Sequence, residues 1–340
     1  MINGHGDEYM GELLANFSSN VWYGADNSAL YKHLYSQMYT IERYPDTEAG
    51  SLKQVLADKN KIAASQIVVC NGSTEAFYLI ANAFSGSKSL IVTPTFSEYA
   101  DACRMHNHNV RLTNRTDFKT DIKTVKPDLV WICNPNNPDG YCFEATEIKQ
   151  LLVNFPHSIF VIDQAYIHFT QNEICVVNQI QNHSNLIIVQ SLTKRHAIPG
   201  LRLGYLMASE TIITRISQFR MPWSVNSLAI EAGKYILKNA NDGFQLYNWL
   251  CECEILRNKI DSFDCFKSIP SETPYFLVKL NKGKASDLKA FLLSHKILVR
   301  QATNFEGLVG EYIRICTLSR EKNDLLINKL NEWNRSVTQL

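Results

Sequence analysis

The residues with chemical reach in this sequence sit just beyond short apolar runs. Lys194 follows the run Leu186–Gln190, within Ser191-Leu192-Thr193-Lys194-Arg195-His196. A lysine emerging at a strand end beside other cations has a lowered pKa and can act as an amine nucleophile; a solvated loop lysine is the bland alternative. Asp163 closes the run Ile159–Ile162, with Tyr166 three residues on. A carboxylate there can cap a helix, bind a metal or pair with a ring nitrogen, and only His168 is near enough in sequence to assist a metal. Asn71-Gly72-Ser73-Thr74 follows a strand-like run and opens a helical pattern. Free N–H groups at a helix start, with two hydroxyls, form an anion site, although a plain N-cap by Ser73 or Thr74 explains the same residues. Arg202 lies in the apolar setting Gly200-Leu201-Arg202-Leu203-Gly204-Tyr205, where a guanidinium needs an anion. No Gly-x-x-x-x-Gly-Lys and no Gly-x-Gly-x-x-Gly occurs, so nucleotide readings lose support.

The elements that must position these groups are legible as a rhythm. Ile67–Cys70, Leu90–Val92, Leu129–Cys133, Ile159–Ile162 and Leu186–Val189 are each too short for a helix and apolar throughout. That pattern fits strands of a parallel sheet covered on both faces. Helical patterns at Ser73–Phe84, Ser97–His106 and Ala145–Asn154 alternate with them. The alternation predicts an α/β fold, a large domain with a mostly parallel, doubly wound sheet. Leu203–Ala208 reads as a further strand, of antiparallel direction. The stretch from Ser224 to about Ser262 is helical in character. After Pro270 the order is strand Tyr275–Leu280, helix Ala285–Ser294, strands Ile297–Arg300 and Tyr312–Cys316, and helix Arg320–Trp333: a smaller α+β domain. One early helix is expected at Ala29–Tyr39. The division is placed at residues 41–249 for the large domain, with 1–40 and 250–340 forming the small one. In such a sheet, ligands bind beyond the carboxyl ends of the strands, where the residues above cluster.

Composition excludes other classes. The 340 residues carry 34 Lys+Arg against 33 Asp+Glu, a formal net charge of +1, so no broad field draws the chain to nucleic acid or an anionic membrane. No apolar stretch approaches the ~20 residues of a membrane span. The polar, acidic opening does not resemble a signal peptide. Nine scattered cysteines without a Cys-x-x-Cys read as reduced, mostly buried thiols, so a cytoplasmic protein is expected. His106 and His108 read as surface histidines, and no metal site is expected.

Taken in order, the motifs form a specific series that resembles the pyridoxal-phosphate enzymes of the aspartate-aminotransferase fold, class I/II. The block Ser191–Tyr205 looks like that family's Schiff-base lysine segment, and Asn134–Gly140 and Asp163-x-x-Tyr166 match in the right order. The resemblance runs from about Phe17 to Asn331. It implies that Lys194 binds pyridoxal 5'-phosphate (PLP) and moves protons, and that Asp163 pairs with the protonated ring nitrogen. Asn137 and Tyr166 would bond the cofactor's phenolic oxygen, and Phe96 would stack on its ring. Gly72, Ser73, Thr74, Ser191 and Arg202 would hold its phosphate. Tyr44 would reach the phosphate in a neighbouring subunit, which implies a homodimer with shared active sites. Arg314 would clamp a substrate carboxylate. Three departures stand out: Pro138-Asp139 where the family has Pro-Thr, Gln164 for a common Glu, and no proline in Asn20-Val21-Trp22-Tyr23.

The resemblance further implies a small phosphorylated amino acid or amine as substrate. The favoured reaction is decarboxylation of L-threonine O-3-phosphate, a step of cobalamin assembly; the alternative is transamination of histidinol phosphate with 2-oxoglutarate. Gly4-His5-Gly6, Asn16–Asn20, Pro94–Tyr99, Ala197–Gly200 and Asn304–Gly307 look more like the decarboxylase. Arg300, His5 and Asn20 are the candidate substrate contacts beside Arg314. The bond that breaks is the one perpendicular to the cofactor ring, so a small rotation of the substrate decides between the reactions. A ligand-sensing regulator would need a DNA-binding module, and the first ~40 residues show neither helix-turn-helix nor basic cluster. A nicotinamide oxidoreductase would leave Lys194 without a role.

Overall fold

The computed structural model describes residues 9, 11–239 and 243–338. Its strands in chain order are β1 (Ala15–Asn16), β2 (Ile67–Cys70), β3 (Lys88–Thr93), β4 (Asn109–Asn114), β5 (Leu129–Cys133), β6 (Ile159–Asp163) and β7 (Leu186–Ser191). They continue as β8 (Gly204–Ala208), β9 (Phe266–Ser268), β10 (Tyr275–Leu280), β11 (Ile297–Leu298), β12 (Arg300–Gln301) and β13 (Tyr312–Cys316).

The central sheet has seven strands in the order β2-β8-β7-β6-β5-β3-β4. Strands β3 to β7 run parallel, and β8 runs antiparallel to both its neighbours. Each apolar run feeds two cores because successive side chains alternate faces. Val130, Ile132, Phe160, Ile162 and Ile188 face one side, against Leu52, Leu56, Ile148 and Ile230. Leu129, Trp131, Val161, Ile187 and Val189 face the other, against Phe77, Ile80, Tyr99 and Ile212. Each such side chain, removed from water, contributes roughly 1.5–3 kcal/mol.

The second unit is a four-stranded antiparallel sheet, β12-β13-β10-β9, covered by the helices Leu246–Asp261, Ala285–Ser294 and Arg320–Thr338. The early segment joins it: β1 pairs in parallel with β11, Ala15 opposite Ile297. Ala15 and Phe17 are buried in the same core as Ile297 and Ile313. The expected strand Ile297–Arg300 is therefore two strands, serving different sheets on either side of Val299. The helical stretch 224–262 is likewise broken, into Ser227–Lys238 and Leu246–Asp261. Among the described residues no helix is long and apolar enough to cross a membrane.

His108 corrects an expectation. It is buried between the helix Gly72–Ala83 and β3, with Nε2 2.8 Å from the Ala81 carbonyl and Nδ1 2.8 Å from Ser89 Oγ. The carbonyl only accepts, so Nε2 carries the proton and Ser89 donates to Nδ1. Burial lowers the pKa of this ring and keeps it neutral.

Candidate active site

The carboxyl ends of β2, β5, β6 and β7 open onto one cleft of about 350 Å³. Asn20, Gly72, Ser73, Thr74, Phe96, Asn137, Asp163, Tyr166, Ser191, Lys194, Arg202 and Arg314 all line it. The parallel register delivers Asp163 and Cys133 side by side as the last residues of β6 and β5. Lys194 lies in the turn after β7. That turn is shaped by Ser191 and Thr193, whose hydroxyls lie 2.8 Å apart, and by Ile198 N–H donating to the Thr193 carbonyl at 3.1 Å. The Lys194 carbonyl accepts from Trp22 N–H at 3.1 Å, which moors the segment 18–22 across the cleft.

The helix Gly72–Ala83 begins at the cleft; its N-cap Asn71 makes no side-chain cap bond, and the Asn71 N–H donates to Glu75 Oε2 at 2.5 Å. Ser73 and Thr74 line the cleft. Gly72 has φ +81°, and a Cβ there would stand 2.4 Å from Arg202 Nη2. Glycine is required twice over, by the backbone and by the guanidinium against it. Behind it, a Cβ on Gly204 would meet Ser73 N at 2.5 Å, so β8 can pack on the turn only as glycine. Arg202 is exposed rather than enclosed: its apolar neighbours turn inward while its Nη1 donates to the Pro199 carbonyl at 3.2 Å.

Asp163 is buried. Its Oδ1 accepts from Ala165 N–H at 2.9 Å and its Oδ2 from Tyr99 Oη at 2.5 Å, with Cys133 Sγ 4.0 Å from Oδ2. Burial pushes its pKa up to about 6, while the Tyr99 bond, the Ala165 N–H and the Lys194 charge pull it back. Tyr166 is buried too, and burial raises its phenol far above the ordinary value against the opposing pull of Arg314. Phe96 is half-buried and meets Phe77 and Tyr99 edge-on at 6.4 and 5.9 Å.

Arg314, on β13, enters from the small unit. Its guanidinium donates to Asn137 Oδ1 and to the Ser18 carbonyl, while buried Nε has no partner. Among the described residues no carboxylate pairs with it, and burial lowers its pKa. The buried amide of Asn20 lies beside the Tyr166 hydroxyl in the cleft.

A second ring of residues, to which the sequence assigned no role, holds this wall. Asn136 Nδ2 donates to Asp139 Oδ1 at 2.7 Å, and Asn136 Oδ1 accepts from Thr95 Oγ1 at 3.0 Å. The Asn136 carbonyl accepts from Tyr275 Oη at 3.0 Å. Asp139 Oδ2 takes Arg115 Nη1 at 2.6 Å, and that guanidinium lies 4.5 Å over the Tyr141 ring. Asp139, the departure from Pro-Thr, is thus a buried junction. Ser18, Ser19, Glu98, Cys133 and Thr193 also line the cleft. Cys133 was legible only as the last residue of an apolar run; Ser18 and Glu98 gave no signal of their own.

Two expected residues stand elsewhere, and a third is not among the described residues. Tyr44 is 83% exposed and outside the cleft of its own chain, its ring 5.1 Å from Trp223. Arg300 does not line the cleft; it lies opposite Arg314 in the β12–β13 ladder and donates to Asn304 Oδ1 at 2.9 Å. His5 lies outside the described residues.

Residues 14–330 match the family described as aminotransferase class I and II. The chain is 30% identical to a threonine-phosphate decarboxylase of Salmonella typhimurium, over 94% of this chain and 91% of that one. It is 33% identical to a histidinol-phosphate aminotransferase of Thermoanaerobacter pseudethanolicus, over 86% and 84%. Among solved structures, an L-threonine-O-3-phosphate decarboxylase from Porphyromonas gingivalis superposes with a TM-score of 0.91 at 40% identity, covering 94% of this chain and 99% of that one.

Proposed function

This chain belongs to the aminotransferase class I and II family, and on that premise we propose that it is a PLP-dependent decarboxylase of L-threonine O-3-phosphate. The observation that carries the substrate class is Arg314: a buried guanidinium without a carboxylate, opening on the same cleft as Lys194. A buried cation in that state calls for an anion from outside, and its planar fork matches a carboxylate. The choice of decarboxylation is supported by likeness to two proteins of that name.

The residues present fit PLP. The helix start at Gly72–Thr74, with Arg202 against it, suits the phosphate. Buried Asp163 suits a protonated ring nitrogen, Phe96 a ring face, and Lys194 the aldehyde carbon. When bound, PLP supplies the electron sink that lets a bond at the substrate's α-carbon break. The chain does the rest. Arg314, held by Asn137 and Ser18, fixes the carboxylate and so selects which bond stands perpendicular to the ring. Lys194 Nζ delivers a proton to the α-carbon after carbon dioxide departs. Tyr166 stays protonated at neutral pH and donates a hydrogen bond.

The chain further fits a homodimer. Tyr39, Ile41 and Tyr44 are 65%, 59% and 83% exposed in one short segment, and Trp223 beside Tyr44 is 47% exposed. Such an apolar face calls for a cover, and a second copy would bring Tyr44 to the neighbouring cleft.

PLP-loaded protein given L-threonine O-3-phosphate should release carbon dioxide and aminopropanol phosphate in equal amounts without a keto acid. Lys194→Ala should lower that rate by about 10⁴-fold. Turnover that requires histidinol phosphate and 2-oxoglutarate would instead establish the transaminase.

A further inference from the structure

The contact between Tyr99 and Asp163 joins two residues 64 apart in sequence, and both side chains are buried. Tyr99 opens the helix Glu98–Met105, where three rings confine it. Phe77 meets it edge-on at 4.8 Å, Phe96 edge-on at 5.9 Å, and Trp131 stacks at 5.7 Å. The hydroxyl of a phenol so enclosed reaches Asp163 Oδ2, with the Cys133 thiol beside both. Phe96 belongs to the cleft wall, so the ring that faces a ligand and the hydroxyl that holds the carboxylate form one packed unit.

We infer that Tyr99 is a positioning residue for PLP binding: its phenolic proton holds the Asp163 carboxylate in the orientation that receives the cofactor's ring nitrogen. This rests on the PLP reading above. The groups facing Asp163 are few. Tyr99 comes from its helix, Cys133 from β5, Lys194 from the turn after β7, and Tyr166 from the segment after β6. Ala165 N–H serves Oδ1. Among the described residues the only other donor on Oδ2 is the Cys133 thiol at 4.0 Å, and a thiol donates weakly. Burial raises both the Tyr99 phenol and the Cys133 thiol, so each keeps its proton at neutral pH. Losing the Tyr99 hydroxyl therefore leaves Oδ2 under-bonded in a site that disfavours charge.

Tyr99→Phe keeps all three ring contacts and removes only the hydroxyl. The full-length variant should bind PLP roughly 10- to 100-fold more weakly at pH 8, followed by absorbance, the span set by a hydrogen bond to a charged group. Asp163 should hold its proton to higher pH, by about one to two units. The pH dependence of unfolding before PLP is added reads this directly. In an Asp163→Asn background the same exchange should change PLP affinity by less than about twofold, because its route of action is gone. Trp131→Phe, which disturbs the packing around Tyr99 but not Asp163, should lower stability equally at every pH. Equal penalties for Tyr99→Phe in both backgrounds, or an unshifted pH profile, would overturn the inference while leaving the PLP reading intact. A wild-type chain that takes up no PLP would overturn both.

Discussion

The two walls of the cleft are finished to different degrees. On the large-sheet wall, Asp163, Asn136 and Asp139 have their polar atoms bonded to Tyr99, Ala165, Thr95, Tyr275 and Arg115. On the facing wall, Arg314 has a buried Nε without a hydrogen-bond partner and, among the described residues, no carboxylate beside it. A buried guanidinium without an opposing charge costs free energy, and one that opens on a cleft is placed for a ligand to bond it. The first wall is a preassembled scaffold; the second is left for a ligand to complete.

Three exchanges test that contrast. The largest effect is expected on the unfinished wall. Arg314→Met should lower kcat/KM for threonine phosphate by about 10²- to 10³-fold, since two charge-assisted bonds to the carboxylate disappear. Its stability should change by less than about 1 kcal/mol, because the lost bonds to Asn137 and Ser18 are offset by removal of an uncompensated buried charge. Thermal unfolding checks this, and a loss of several kcal/mol would erase the contrast.

Asp163 gives the next effect. Its folded pKa of about 6 lies above the ordinary 3.8, so the folded chain holds a proton that the unfolded chain has released. The contribution of Asp163 to stability without PLP should therefore fall as pH rises from about 4 to 6, by roughly 3 kcal/mol, and level off above, against the opposite slope of carboxyls such as Asp261 whose pKa is lowered. Asp163→Asn should flatten that slope; an unchanged slope in urea titrations would assign it to other groups.

The smallest effect is on the outer scaffold. Asp139→Ala should cost about 1–3 kcal/mol of stability by stranding Asn136 and Arg115, with kcat/KM reduced only several-fold. If activity collapsed while stability held, Asp139 would belong to the ligand-facing wall instead.

What the sequence disclosed follows the same division. Runs such as Leu129–Cys133 were readable because a strand covered on both faces must be apolar throughout. The edge strand β4, Asn-Val-Arg-Leu-Thr-Asn, was missed: it is mostly exposed or half-buried and needs no such run. The helices Gly50–Asn60, Phe118–Val125 and Glu210–Ser217 were missed as well. Lys194, Asp163 and Asn137 were legible because each follows a strand in a recognisable motif. The Tyr275 bond to Asn136 spans 139 residues, and no local spacing encodes it. Arg300 shows the limit from the other side. It lies directly across from Arg314 in the ladder, yet its head turns to Asn304 and not to the cleft.

The mooring of the early segment sets an order of events in synthesis. Leu14, Ala15 and Phe17 donate to the carbonyls of Lys296 and Leu298, Phe17 accepts from Cys316, and Ser18 accepts from Arg314. All these partners emerge from the ribosome about 280 to 300 residues after the segment they hold. During that interval the large sheet can close while Phe17 remains without its core. A chain cut before Lys296 thus leaves Phe17 without its core and lacks one wall of the cleft.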